Sequence, residues 1–272
     1  MSDEKVTGVA ADYIAAARDV LDVIAATQGD AIEQAAQACA AAIAADGLVH
    51  VFGSGHSRII VEELWPRYGS YPGFHPIVEL STTVYHQVAG ANGQRQAMFI
   101  ENVPGLAAQV LRNFRFGPND ALIAISSGGT SVVTVEVAEQ LQARGLPVIA
   151  ITSIAHSELS TSKAPSGRRL FEAADIVIDT CTPVGDAVIN LPGLVPPVGP
   201  TTTVAGAAVA NALKVRVAEL LLAAGVIPHV LPSALVVGAE ASAAAFDAAY
   251  DEHARRTSPL LNFPATNPPL TP

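Results

Sequence analysis

Two short runs of glycine and hydroxyl residues mark where this chain could do chemistry. The first is Gly53-Ser54-Gly55-His56-Ser57 and the second is Ser126-Ser127-Gly128-Gly129-Thr130-Ser131. Glycine lets the backbone turn tightly and come close to a ligand, while serine and threonine add hydroxyl donors. A short apolar stretch precedes each run, residues 48–52 and 121–125, and predicts a buried strand. A helix is predicted after each, opening on Ser57 in the first unit and covering residues 132–144 in the second. The unpaired N–H groups and the dipole of a helix start favour an anion. Each unit therefore reads as a phosphate cradle. The first is not a P-loop, because no Lys-Ser/Thr follows its glycines, and it is not a full dinucleotide fingerprint. Two strand–turn–helix units in one parallel sheet put both turns at the carboxyl ends of their strands, the edge where open α/β sheets bind ligands.

The elements that must hold these turns can be read in order. Residues 9–27 and 31–45 predict two alanine-rich helices, with Asp30 placed to cap the second. Residues 76–80 predict a short strand, and 81–93, with His86, a polar loop. A helix is predicted over 99–114, strands over 146–152 and 176–179, and a loop over 153–169. Residues 183–203 hold five prolines and predict a long irregular segment near the binding edge. A long helix follows over 201–224, then an extended piece over 226–230 and a helix over 239–256. The tail from 258 onward is proline-rich and predicted to lie on the surface.

Composition bounds the function. The chain has 272 residues, half of them hydrophobic, and a formal net charge of −10. That charge argues against a nucleic-acid partner and against an anionic membrane surface. It does not exclude a phosphorylated substrate, since a helix terminus acts locally. The apolar stretches are too interrupted to span a bilayer, and no basic segment followed by an apolar core stands at the N-terminus. Cys39 and Cys181 show no metal-ligand spacing, so a reducing, cytoplasmic setting is expected. No His/Asp/Glu cluster has metal spacing, and neither metal nor cofactor is expected. With no internal linker in sight, residues 1–272 read as one domain, with a helical segment over 1–45 and a tail over 258–272.

With both turns in hand, the chain resembles the sugar isomerase (SIS) domain family. Gly53-Ser54-Gly55-His56-Ser57 matches the first family motif, and Ser126 to Ser131 resembles the second, Ser-x-Ser-Gly-x-Thr. The likeness extends to Ile151-Thr152-Ser153, Ala155-His156-Ser157, Pro165-Ser166-Gly167-Arg168-Arg169-Leu170, Pro183-Val184-Gly185-Asp186-Ala187 and Thr201-Thr202-Thr203. Those later pieces resemble a single-domain subgroup that includes N-acetylglucosamine-6-phosphate dehydratases. The resemblance implies a flavodoxin-like three-layer α/β sandwich with a central parallel sheet, extra helices at both ends, a phosphosugar ligand, and a homodimer or larger homo-oligomer. One departure stands in the second motif. If Gly129 takes the family glycine position, Gly128 replaces the middle serine and Ser131 takes the place of the threonine.

Enzymes of this kind need a base to remove a proton next to a carbonyl, and a carboxylate near neutrality serves. Glu62 and Glu63 follow Ser57 by five and six residues, about 7.5 to 9 Å along a helix axis. In related family members the base falls ten residues after the motif serine, which is Arg67 here, and Glu63 lies one turn earlier on nearly the same face. Glu62 stays open beside it. His86 is the expected acid, with His56 and His156 as competitors. In an N-acetylated amino sugar, loss of the C2 proton can expel the C3 hydroxyl, which predicts a dehydrating lyase without cofactor. An aldose–ketose isomerase is the second reading and a silent phosphosugar sensor the third. The absence of a spare basic helix-turn-helix speaks against the sensor.

Overall fold

A computed structural model describes residues 7–83 and 93–261 of the protein. Its centre is a five-stranded, all-parallel sheet in the order β2-β1-β3-β4-β5. The strands are β1 (Val49–Gly53), β2 (Phe74–Pro76), β3 (Ala121–Ile125), β4 (Val148–Thr152) and β5 (Ile176–Asp179). Every residue of β1, β3 and β4 is buried, which is why these strands read as continuous apolar runs rather than alternating ones.

Alternate side chains serve two separate cores. Val49, Val51, Ile123, Ile149 and Ile151 point to one face, where α1 (Val9–Thr27), α2 (Gly29–Ala44), α3 (Arg58–Leu64) and α9 (Thr202–Ala223) pack. Phe52, Leu122, Ala124, Val148 and Ala150 point to the other, against α6 (Leu106–Leu111) and α7 (Val132–Gln142). The alanines of α2 let it lie close on α9, with Ala35, Ala36, Cys39 and Ala40 buried at the contact. Gly206 does the same between α9 and α3, since a Cβ there would lie 2.7 Å from Ile60 Cγ1. The result is a three-layer α/β arrangement with helices on both faces, as the family resemblance implies.

Several sequence expectations are corrected. The strand expected over 76–80 forms earlier, at Phe74–Pro76, where its N–H and C=O groups can pair with β1; Leu80–Thr83 is instead a helical turn, α4, closed by hydrogen bonds from Ser81 and Thr82 to Glu79. The helix expected over 99–114 is two helices, α5 (Gly93–Ile100) and α6, because Pro104 removes a donor and Gly105 turns left-handed at φ 85°. The segment 153–169 contains a short helix, α8 (Ile154–Leu159), capped by Ser153. The irregular proline-rich segment holds a two-stranded antiparallel ribbon, β6 (Ala187–Ile189) with β7 (Val198–Pro200). Asp30 lies inside the first turn of α2, and Gln28 takes the cap position. The extended piece expected over 226–230 reduces to one bridge between Leu231 and Tyr68, followed by α10 (Ala234–Val237) and α11 (Ala239–Thr257). The tail begins with a 3-10 turn, Ser258–Leu261.

Candidate functional site

Strand register brings the two hydroxyl turns together. Gly53 at the end of β1 pairs with Ile125 at the end of β3, so the chain leaves both strands side by side, at Ser54 and Ser126. Between them opens a cavity of about 290 Å³. Ser54, Gly55, His56 and Ser57 line one wall, and Ser126, Ser127, Gly128, Thr130 and Ser131 the other. Gly53 and Gly129 lie behind these walls rather than on them, and each has a packing reason. A Cβ on Gly53 would lie 3.1 Å from Ser57 Cβ and 3.2 Å from Ile125 O. Gly129 sits at φ 64°, and a Cβ there would run into Ser157 Oγ.

The helix starts at these turns differ from expectation. Gly55–Ser57 is a 3-10 turn, and α3 that follows has only seven residues, so its dipole is small. The longer helices carry the larger dipoles. α7 begins directly after Ser131, and α9 is tied to the second turn by Thr202 Oγ1, 3.2 Å from Ser127 Oγ. Asp186 holds the start of α9, accepting at one carboxylate oxygen from the N–H of Thr201 (2.8 Å) and of Thr202 (2.7 Å). Lys163 reaches the same cavity and adds a positive charge.

Neither glutamate of α3 lines the cavity. Glu62 is exposed and pairs with Arg58 at 3.4 Å. Glu63 faces α9: its carboxylate accepts from Arg67 at 2.9 Å and from Asn211 Nδ2 at 3.0 Å. Partial burial pushes the Glu63 carboxyl up, but the bonds from Asn211 and Arg67 outweigh it and hold the group below its usual range. Lys214, buried beside it, donates to the Glu63 carbonyl at 2.8 Å. His86 lies outside the described residues. His156, on α8, packs its ring against Gly128, and its Nδ1 accepts from the Gly185 N–H at 3.1 Å.

The carboxylate on the cavity wall is Glu101, which sequence reasoning passed over. Gln94, Ala97, Met98 and Glu101 follow helical spacing and present one face of α5 and its last turn to the cavity. Ser54 Oγ donates to Glu101 Oε2 at 2.6 Å. Behind it, Ser131 Oγ lies 3.2 Å from Ser54 Oγ, and Thr134 Oγ1 donates to Ser131 at 3.4 Å. The Glu101 carbonyl accepts from the N–H of Val133 at 3.0 Å, which pins the end of α5 to the start of α7. Asn102 lines the same wall; its Nδ2 donates to Met98 O at 2.7 Å and its buried Oδ1 has no partner. No sequence signal marked Glu101: it falls in the first turn of the helix expected over 99–114, and only the break at Pro104-Gly105 leaves it at the end of α5.

Among the described residues no three His, Cys, Asp or Glu side chains gather as a metal site, and no helix is long and apolar enough to cross a membrane.

The sequence profile of the SIS domain matches residues 12–153, more than half of the chain and the part holding both turns. A UPF0309 protein of Geobacillus kaustophilus is 30% identical over 244 residues, covering 90% of each chain. A UPF0309 protein of Streptomyces griseus is 32% identical over 243 residues, covering 88% of this chain and 92% of the relative. Among solved structures, the phosphoheptose isomerase of Neisseria gonorrhoeae is similar at a TM-score of 0.48 and 14% identity, covering 77% of this chain and 97% of that one. The NanR protein of Vibrio vulnificus, solved with ManNAc-6P, is similar at a TM-score of 0.45 and 16% identity, covering 80% of this chain and 64% of that one. With the profile spanning both hydroxyl turns and the curated relatives matching over most of their length, this chain belongs to the SIS domain family and groups with its UPF0309 members.

Proposed function

We propose that the protein is a single-domain phosphosugar enzyme that dehydrates N-acetylglucosamine 6-phosphate or a close amino-sugar phosphate. The observation that carries this reading is the meeting of both hydroxyl turns on one small cavity that also holds Lys163 and a carboxylate. The hydroxyls of both turns and one lysine suit a phosphate. A volume of about 290 Å³ suits one sugar phosphate better than a dinucleotide. Removal of the C2 proton by a carboxylate, followed by loss of the C3 hydroxyl, needs no metal or cofactor.

A homodimer or larger homo-oligomer belongs to the same proposal. Val215, Ile227, Leu235 and Val236 are 71%, 78%, 98% and 81% exposed, and such side chains near the C-terminal helices fit a contact with a second copy.

Mass spectrometry of purified protein incubated with N-acetylglucosamine 6-phosphate tests the activity. Loss of one water supports the lyase. Unchanged mass in light water, with deuterium entering C2 in heavy water, replaces it with an isomerase. Binding seen by calorimetry without either change replaces it with a sensor.

A further inference from the structure

We propose that Glu101 is the carboxylate that carries the proton in this cavity, and that the Ser54–Glu101 pair marks the sugar end of the site, away from the phosphate. This rests on the phosphosugar reading above and names the residue that does its chemistry.

The argument begins with hydroxyl protons. Each serine or threonine has one O–H to give. Ser54 gives its proton to Glu101, so the proton between Ser131 and Ser54 must come from Ser131, and Thr134 in turn donates to Ser131. The chain Thr134–Ser131–Ser54–Glu101 thus has one direction and ends on a carboxylate that lines the cavity. Thr134 is fully buried, so the far end is anchored in the core. The backbone bond from Val133 to the Glu101 carbonyl holds the same residue at its main chain. A carboxylate positioned from both ends is what a proton-transfer step requires.

Charge then orients the ligand. A phosphate dianion next to Glu101 would bring two like charges into one small cavity. The phosphate seat therefore falls to donors not committed to Glu101, among them Ser57, Thr130 and Lys163. The carbon skeleton then extends toward Glu101. By contrast, Glu63 is held by Arg67 and Asn211, and Glu62 is turned to solvent.

In the dehydration, Glu101 takes the proton from C2 of the open-chain aldehyde, and the C–H electron pair forms the enolate. The enolate collapses to C1=O with a C2=C3 double bond as the C3–O bond breaks. The departing hydroxyl takes the proton back from Glu101 and leaves as water. Atoms and charge balance, and the carboxylate is restored.

The test compares wild type with Glu101→Gln, Glu101→Asp, Glu62→Gln and Glu63→Gln on N-acetylglucosamine 6-phosphate. Binding is followed by calorimetry, turnover by loss of water, and C2 exchange in heavy water by mass spectrometry. The expected result is a fall of about 100-fold or more in both rates for Glu101→Gln, with affinity changed less than about threefold. Glu101→Asp should recover part of the rate, and the Glu62 and Glu63 variants should stay near wild type. Ser54→Ala, which leaves the carboxylate but removes its donor, should lower the rate and move its pH profile. An active wild type with a near-normal Glu101→Gln rate would overturn the Glu101 assignment alone. A wild type that binds the sugar phosphate without turnover or exchange would overturn this assignment together with the enzymatic reading.

Discussion

The N–H of Gly185 donates to Nδ1 of His156 at 3.1 Å, and that bond decides which nitrogen of the ring carries the proton. With Nδ1 accepting, the neutral imidazole is protonated at Nε2. The Nε2 edge packs beside Gly128 on the cavity wall, where an added Cβ would lie 3.6 Å away. Nitrogen-15 spectra of the histidines should show His156 as the Nε2–H tautomer. His156→Ala should weaken binding of N-acetylglucosamine 6-phosphate about tenfold by calorimetry, the loss of one hydrogen bond to a charged acceptor. Unchanged affinity would show that the ring, which packs behind Gly128, does not reach the ligand.

The two glycines of the second turn should respond differently to a methyl group. Gly129 is left-handed at φ 64°, and its Cβ would collide with Ser157 Oγ. Gly129→Ala should cost about 2–3 kcal/mol in urea unfolding, from backbone strain plus overpacking. At Gly128 the same atom meets His156 only at 3.6 Å, an ordinary contact. Gly128→Ala should leave stability within about 0.5 kcal/mol. Equal losses at both positions would refute this account of the turn.

Asp186 should act through the start of α9. Its carboxylate accepts from the N–H groups of Thr201 and Thr202, and Thr202 contacts Ser127 across the site. Asp186→Ala should cost about 1–2 kcal/mol, as losses of helix caps do. Hydrogen exchange should rise in the first turn of α9. Asp186 itself is left-handed at φ 65°, a conformation that asparagine tolerates, so Asp186→Asn should lose less.

Far from the cavity, a buried histidine pair should set an acid limit on stability. His50 Nε2 lies 3.0 Å from Asp120 Oδ2, and His50 Nδ1 lies 3.1 Å from His75 Nδ1. An ionised Asp120 takes the His50 Nε2–H, so His50 accepts at Nδ1 and His75 supplies the proton between them. Burial is the chief cause that holds His75 down at about 3, with the neighbouring His50 and His253 acting the same way and Asp120 pulling the other way. The unfolded chain binds that proton near pH 6.5. Stability is therefore full above about pH 6.5 and is lost as the pH falls toward about 3. Denaturant titrations should show a loss of about 1–2 kcal/mol between pH 7 and pH 5 from this residue. In His75→Leu that slope should flatten, and an unchanged slope would place the titration elsewhere.

The sequence by itself determined four of the five strands and the two turns. Runs such as 121–125 and 148–152 are apolar throughout because both faces are covered, and that pattern is local. The glycines and hydroxyls after β1 and β3 are equally local, since they answer to the backbone at that point. The tertiary structure decided which carboxylate faces the cavity. Glu63 has suitable helical spacing from Ser57, yet α9 supplies Asn211 and Lys214 to hold it outward, and those residues lie about 150 positions along the chain. Glu101 lies in a segment whose sequence predicts one long helix, and only the break at Pro104-Gly105 and the packing of α5 on Ser54 bring it to the wall. Spacing along one helix fixes direction within that helix alone; which side meets a ligand depends on what the rest of the chain packs against the other side.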